Sequence, residues 1–443
     1  MADESVEKGE ETAGADAPKA GETEPESAVS TADPGVGPAE KTESGEAGAT
    51  PEAAETGPAG GDAIPARVIQ PDVRFVRDVI NAGGSDLKKC YQCATCSVAC
   101  NITPDDTPFP RKEMQWAQWG LKEKLTGSPD IWLCHQCNDC TAQCPRDAKP
   151  GTVMQAIAKM TIANYSISSI AKAVGSAKTF VLMALLPVII IMAAIGIQGH
   201  FSNVPRGGNG AIVYSEFMNV YRAIDPIFTI FFVIAAVLLI LGGRRYWNDM
   251  LRNHVSEGGA APEKGFFGNL WPTVTEFLAH KRFRKCDETR DRANSHLLVF
   301  YAFVGLLLTT AWAGLYMDVI HRESPFPMYD PIKILANISA AAGIIGITMV
   351  LIYKFTHAGK IGRGSYYDWW LIGTIYVLLL TGIGSELLRE ANTAVFAYPV
   401  YSLHLMTVLF LFIYAPFSKM AHMVYRMVAL VFARATGRDL GVE

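Results

Sequence analysis

The chain has 443 residues, enough for two or three domains, with 43 Asp and Glu against 39 Lys and Arg and a formal net charge of -4. No basic face suited to tracking phosphates occurs beyond the N-terminal region, so nucleic acid is excluded as an expected partner. Residues 1–66 are almost wholly Ala, Glu, Gly, Thr, Pro, Ser and Asp, with no aromatic before Phe75. Such a segment buries too little apolar surface to offset its ordering entropy, and it reads as a disordered acidic tail. It has neither the basic start nor the apolar core of a signal peptide, which predicts a cytoplasmic N-terminus.

The next segment, residues 67–165, holds eight of the nine cysteines. Their clustering in a chain without an export signal points to metal ligation, because cytosolic thiols are kept reduced. Cys90, Cys93, Cys96 and Cys100 make C-x2-C-x2-C-x3-C, and Cys134, Cys137, Cys140 and Cys144 repeat it, with Pro145 following. Thiolates every third residue wrap three corners of a cubane, and the fourth corner needs a cysteine from elsewhere. A structural zinc site uses two pairs of ligands, whereas each run here offers four closely spaced thiolates. The runs resemble those of two-cluster ferredoxins, in which each fourth cysteine serves the other cluster. That resemblance assigns Cys90, Cys93, Cys96 and Cys144 to one 4Fe-4S cluster, and Cys134, Cys137, Cys140 and Cys100 to a second.

Between and after the runs, residues 111–125 and 152–163 are rich in helix formers and follow Pro110 and the Pro150-Gly151 pair, so the clusters are expected between helices. Over residues 70–165 the chain resembles the C subunit of heterodisulfide reductases and the helical ferredoxin domain of succinate dehydrogenase iron-sulfur subunits.

From residue 166 the composition turns apolar. Runs at 179–197, 226–241, 297–317, 334–355, 369–383 and 400–416 each approach the roughly 20 residues a membrane-crossing helix needs. The expected fold is therefore all-α: a helical two-cluster ferredoxin domain followed by a six-span transmembrane bundle over residues 166–443. Arg244, Arg245 and Arg252, then Lys281, Arg282, Arg284 and Lys285, then Lys354, Lys360 and Arg363, and finally Lys419, Arg426 and Arg434 fall on one side. The excess of cations places that side, both termini and the cysteine module in the cytoplasm. The loop at residues 242–295 is then cytoplasmic, and residues 272–284 have the pattern of a basic amphipathic helix on the membrane surface.

His404 and His422 lie 18 residues apart, which on one continuous helix is five turns and a shared face about 27 Å long. The stretch Tyr414-Ala415-Pro416-Phe417-Ser418-Lys419 ahead of His422 resembles the final helix of the respiratory nitrate reductase gamma subunit. That family holds two b-type haems between this helix and an earlier one. Ser295-His296-Leu297-Leu298, leading into Phe300, Phe303, Gly305 and Thr309, stands where the earlier helix would begin. The resemblance implies an inner haem b between His296 and His422. The family's second histidine corresponds here to Leu306, so an outer haem on His404 needs another partner, for which His321 is chosen over His200. One or two haems are expected. His357 reads as an interfacial residue, His135 as part of the cluster surroundings, His254 and His280 as loop residues, and Cys286 as a bystander. His321, Arg322, Tyr329, Glu386 and Arg389 gather titratable groups at the outer ends of spans three and five, where a quinone site is expected.

Beyond the tail, the chain resembles the membrane subunit of the quinone-interacting membrane-bound oxidoreductase complex of sulfate reducers. The resemblance implies soluble flavin and iron-sulfur subunits as partners, menaquinone as membrane substrate and adenylylsulfate reductase as the eventual acceptor in sulfate respiration. Alternatives are a fused C and E subunit of a heterodisulfide-reductase-like complex, a subunit of the dissimilatory sulfite reductase membrane complex, or a passive anchor. A transporter is disfavoured, since the spans carry no evident inverted repeat or mid-span acid.

Overall fold

A computed structural model describes residues 70–201, 204–208, 210–279, 290–322, 324–357 and 364–438. The acidic tail, His280, Cys286, Lys281, Arg282, Arg284, Lys285, Lys360 and Arg363 lie outside the described residues. Among the described residues every regular element is helical, as the apolar periodicity predicts.

The soluble module consists of α1 (Val73–Asn81), α2 (Thr95–Val98), α3 (Arg111–Gln118), α4 (Lys122–Thr126), α5 (Asp130–Leu133), α6 (Asp139–Ala142) and α7 (Pro150–Tyr165). Asp72 caps α1, its carboxylate accepting from the amides of Arg74 at 2.8 Å and Phe75 at 3.0 Å. The i, i+4 pair Phe75 and Val79 then buries against Met114, Leu125, Met154 and Ile157. Helix α7 is the spine: proline opens its first turn, and α1, α3, α4 and α6 all pack on it.

The two cysteine runs share one unusual backbone path. The residues on either side of the second cysteine are left-handed in both, Gln92 and Ala94 at φ 68° and 69°, and Gln136 and Asn138 at φ 54° and 73°. Non-glycine residues adopt this conformation only where their surroundings impose it. In each run the left-handed step feeds directly into a one-turn helix, α2 or α6, that carries the third cysteine.

After α8 (Ser168–Val174) come α9 (Phe180–Ile197), α10 (Tyr214–Phe217), α11 (Asp225–Ser256), α12 (Phe266–Ala279), α13 (Arg290–Gly314), α14 (Pro331–Thr356), α15 (Tyr366–Glu390), α16 (Ala394–Tyr414) and α17 (His422–Ala435). Six of these, with flanking turns, are long and apolar enough to cross a membrane: Ala177–Ile197, Val220–Ser256, Ala293–Val319, Pro331–Thr356, Tyr366–Glu390 and Ala394–Phe417. Leu182, Ile189 and Ile240 are more than 60% exposed, a distribution that suits a lipid-facing surface. Helix α14 packs on both α13 and α15, and α16 packs on α15, α9 and α11. Small residues bring α13 and α14 together: a methyl group on Gly305 would stand 3.0 Å from the Ser339 Cβ.

Helix α11 is longer than its apolar run. At 32 residues it spans about 48 Å, and its last turns leave the apolar zone to meet the soluble module. Residues 246, 249, 253 and 257 fall on one face and form a polar ladder. Tyr246 donates to the Ser128 carbonyl at 2.8 Å, and Asp249 accepts from the Tyr165 hydroxyl at 3.0 Å. Asn253 donates to the Glu123 carbonyl at 3.1 Å, and Glu257 pairs with Lys124 at 3.0 Å.

The loop expected at residues 242–295 is therefore mostly helical, with the end of α11 and the whole of α12 inside it. Helix α12 starts six residues before the expected amphipathic segment, and Pro272 lies within it. It is pinned to α17 by Glu276 and Arg434, 2.6 Å apart.

The continuous final helix does not exist. Helix α16 stops at Tyr414; two single 3-10 turns, Ala415–Phe417 and Lys419–Ala421, follow on either side of an extended Ser418. Pro416 lacks the amide that would continue the ladder, and the Ser418 hydroxyl caps the second turn by accepting from the Met420 amide at 3.2 Å. His422 thus begins a new helix, and the five-turn relation to His404 fails for that reason.

Candidate functional site

Cys90, Cys93, Cys96 and Cys144 line one pocket at the rim of the module, together with Arg111 and Arg146. Cys93 is exposed and Cys96 buried. The Ala148 amide donates to the Cys144 sulfur at 3.3 Å, and the Gln92 side-chain amide to the Cys90 sulfur at 3.5 Å. Cys100, Cys134, Cys137 and Cys140 form the other group, close enough for each thiol's charge to act on its neighbours. The Gln136 amide donates to the Cys134 sulfur at 3.4 Å. The fourth cysteine of each run therefore stands with the first three of the other.

Burial pushes the Cys96 thiol up to about 12 and the Cys100 thiol up to about 11, and it raises Cys134 and Cys140 further. Buried sulfurs of this kind are held as thiolates by a cationic centre, such as the iron of a cluster supplies. Amide donors onto sulfur are a further feature of iron-sulfur ligation. The residues fit the group.

A cavity of about 620 Å³ lies where the soluble module meets the helix bundle. His296, near the start of α13, and His422, the first residue of α17, both line it. The His422 Nδ1 lies 2.5 Å from the Lys419 carbonyl, to which it donates, and this leaves the lone pair on Nε2. Val299, Phe303, Ile347, Leu371 and Ile375 make apolar walls, while Lys159, Lys354 and Lys419 supply cations. Two imidazoles on separate helices, apolar walls and a basic rim suit a haem b, which takes axial nitrogens on its iron and cations at its propionates. The volume falls within the range of ordinary cofactor sites.

Cys134, His135 and Gln136 line this same cavity. Cys134 of the second group, His296 and His422 therefore face one space. Arg426, four residues after His422, reaches the cysteine loop and donates Nη1 to the carbonyls of Trp132 at 3.0 Å and Cys134 at 3.2 Å. Tyr425 stacks on Trp132 with ring centroids 5.4 Å apart. In the sequence Arg426 reads only as an orienting charge, although its i, i+4 spacing from His422 marks it as a neighbour.

The outer histidines have different surroundings. The His404 ring packs on α15, with Nδ1 3.2 Å from the Leu378 carbonyl and its edge against Gly382. His321 is exposed in a left-handed turn beyond α13, at φ 55°. His200 binds the Phe217 carbonyl through Nδ1 at 2.5 Å. Among the charges expected around a quinone, Arg322 pairs with Asp330 at 2.7 Å, Glu386 with Lys333 at 2.9 Å, and Arg389 with Glu390. Tyr329 is 82% exposed. The first two pairs tie helix ends together. His357, by contrast, stacks on Tyr353, itself a wall of the inner cavity, with centroids 4.3 Å apart.

Residues 86–148 match the 4Fe-4S dicluster domain family. The chain is 23% identical over 376 residues to citrate utilization protein B of Escherichia coli, covering 80% of this chain and 93% of that protein. It is 35% identical over 79 residues to the C subunit of the H(2):CoB-CoM heterodisulfide,ferredoxin reductase of Methanothermobacter marburgensis, 18% of this chain and 42% of that relative. A protein of Archaeoglobus profundus that is itself like the C subunit of heterodisulfide reductase is 33% identical over 99 residues, 22% of this chain and 53% of the relative. The chain thus spans about half or less of these heterodisulfide reductase relatives. No solved structure matches it. A heterodisulfide reductase C-like iron-sulfur domain for electron transfer is joined here to six apolar helices of membrane-crossing length.

Proposed function

We propose that this chain conducts electrons between a membrane quinone and soluble oxidoreductase subunits, through a haem b in the inner cavity and two 4Fe-4S clusters. The observation that carries the reading is the shared cavity: His296 and His422 line it together with Cys134 and Gln136 of the second cysteine loop. The haem and clusters, when bound, supply one-electron relay chemistry. The protein holds them in order. His296 and His422 would hold the haem iron, the Lys419 carbonyl orients the His422 ring, and the cationic rim would balance propionates. Cys90, Cys93, Cys96 and Cys144 would hold the first cluster, and Cys100, Cys134, Cys137 and Cys140 the second.

With the outer charges engaged in ion pairs, the quinone headgroup is better placed beside Tyr353 and His357, where an imidazole stands next to the cavity wall. His357 would accept a proton as quinol gives up its electrons. The basic side of the bundle, carrying the module, would face the cytoplasm. Soluble flavin and iron-sulfur subunits would take the electrons, and with menaquinone as donor the chain would feed adenylylsulfate reductase. The likeness to citrate utilization protein B over 93% of that protein favours a second reading, in which the same relay serves a citrate-utilization system. Subunits that co-purify with the chain distinguish the two.

The test is optical. His296→Ala and His422→Ala should each abolish the same b-type absorption component while the chain remains inserted in the membrane. Loss of two different components, or of none, rejects the inner site.

A further inference from the structure

We propose that Arg426 is a positioning residue that holds its charge against the second cluster and raises that cluster's reduction potential relative to the first. The proposal rests on the reading of Cys100, Cys134, Cys137 and Cys140 as holders of that cluster. It adds a role for a side chain that belongs to neither ligand set.

The geometry is specific. Arg426 stands one turn after His422 on α17, in the wall of the shared cavity. Its Nη1 is fixed by the Trp132 carbonyl at 3.0 Å and the Cys134 carbonyl at 3.2 Å, on either side of Leu133. Reduction of a cluster adds one electron and hence one negative charge. A fixed guanidinium beside one of its ligands stabilises the reduced form more than the oxidised form. In the first group, Arg111 binds the Gln92 carbonyl at 3.1 Å and Arg146 lines the pocket, but both are exposed, where water screens their charge. Arg426 thus raises the potential of the second cluster, the one nearer the histidines. The same side chain ties the cysteine loop to the helix that bears His422, so cluster and haem pocket keep a fixed separation.

The experiment is a redox titration of the purified full-length chain in detergent, followed by electron paramagnetic resonance. Cys140→Ser identifies the second cluster's signal and tests the ligand reading separately from this proposal. Arg426→Gln should lower the midpoint of the second cluster and leave that of the first in place. Arg426→Lys, which keeps a charge but loses the planar fork, should lower it less. An unchanged midpoint in Arg426→Gln, or equal shifts of both clusters, overturns the proposal. If Arg426→Gln does not retain the cluster, Arg426→Lys decides: a lowered midpoint supports the role and an unchanged one refutes it. None of these readings depends on the haem.

Discussion

Gly346 on α14 lies so close to α13 that a methyl group placed on it would stand 2.9 Å from the Val299 amide nitrogen and 3.0 Å from the Ser295 carbonyl oxygen. Those are backbone atoms on either side of His296, and they cannot turn aside as a side chain would. Gly346→Ala should therefore push α13 away from α14, cost about 1–3 kcal/mol by overpacking, and displace His296 from the cavity. The expected result is a lower thermal midpoint and a diminished b-type spectrum, with iron-sulfur signals intact. An unaltered spectrum would show that His296 needs no such close approach.

Each cysteine group should be separable from the other. Cys96→Ser removes a sulfur from the group that includes Cys144, and Cys140→Ser one from the group that includes Cys100. Paramagnetic resonance of the anaerobically purified variants should lose a different cluster signal in each case. Zinc in place of iron in the folded wild-type module would dismiss the cluster reading altogether.

A pH dependence follows from Glu113, which is fully buried beside Asp130 in the module. Burial, and then the neighbouring Asp130 charge, hold its carboxyl well above the ordinary carboxylate range. The folded chain therefore keeps a proton that the unfolded chain has already lost. Stability from this source is complete below about pH 4.3, the unfolded value for Glu, and declines as pH rises through the folded value. The module's thermal midpoint should fall over that interval, and Glu113→Gln, which cannot ionise, should flatten the slope. A slope of equal size in the variant would assign the dependence to another group.

Quinol should reduce the haem from the side of His357. His357→Ala is expected to slow that reduction at unchanged haem content, whereas His321→Ala should leave it near the normal rate. The opposite result would return the quinone site to the outer ends of α13 and α15.

Tyr246 is fully buried, and its hydroxyl supplies the Ser128 carbonyl with a donor. Tyr246→Phe removes that donor and should destabilise the seat of the module on α11 by about 1–3 kcal/mol. Limited proteolysis of the module should accelerate in the variant, with both clusters still present. Unaltered proteolysis would mean that the remaining rungs suffice.

The spans and the cysteine runs were legible in the sequence because each depends on local pattern: apolar length for one, spacing of thiols for the other. His296 and His422 were proposed as a pair from the residues around them, and both line one cavity. What escaped was governed by particular breaks and long-range partners. Pro416 and Ser418 interrupt a run whose hydropathy is continuous, so a count of turns from His404 to His422 had no helix to run along. Glu386 and Arg322 resembled free titratable groups until Lys333 and Asp330, remote or loop residues in the sequence, were found beside them. The extension of α11 carries polar side chains that look solvent-exposed when their partners, up to 133 positions away, are out of view.

The ladder on α11 also makes the bundle and the module a single torsional system. Because a helix advances 100° per residue, one residue inserted between Leu241 and Tyr246 would swing the entire ladder about a quarter turn around the axis. Tyr246, Asp249, Asn253 and Glu257 would then face away from the module together. The length of this segment is set by angle as much as by reach: a whole turn added would preserve the facing and lift the module by about 5 Å, whereas a fraction of a turn would unseat it.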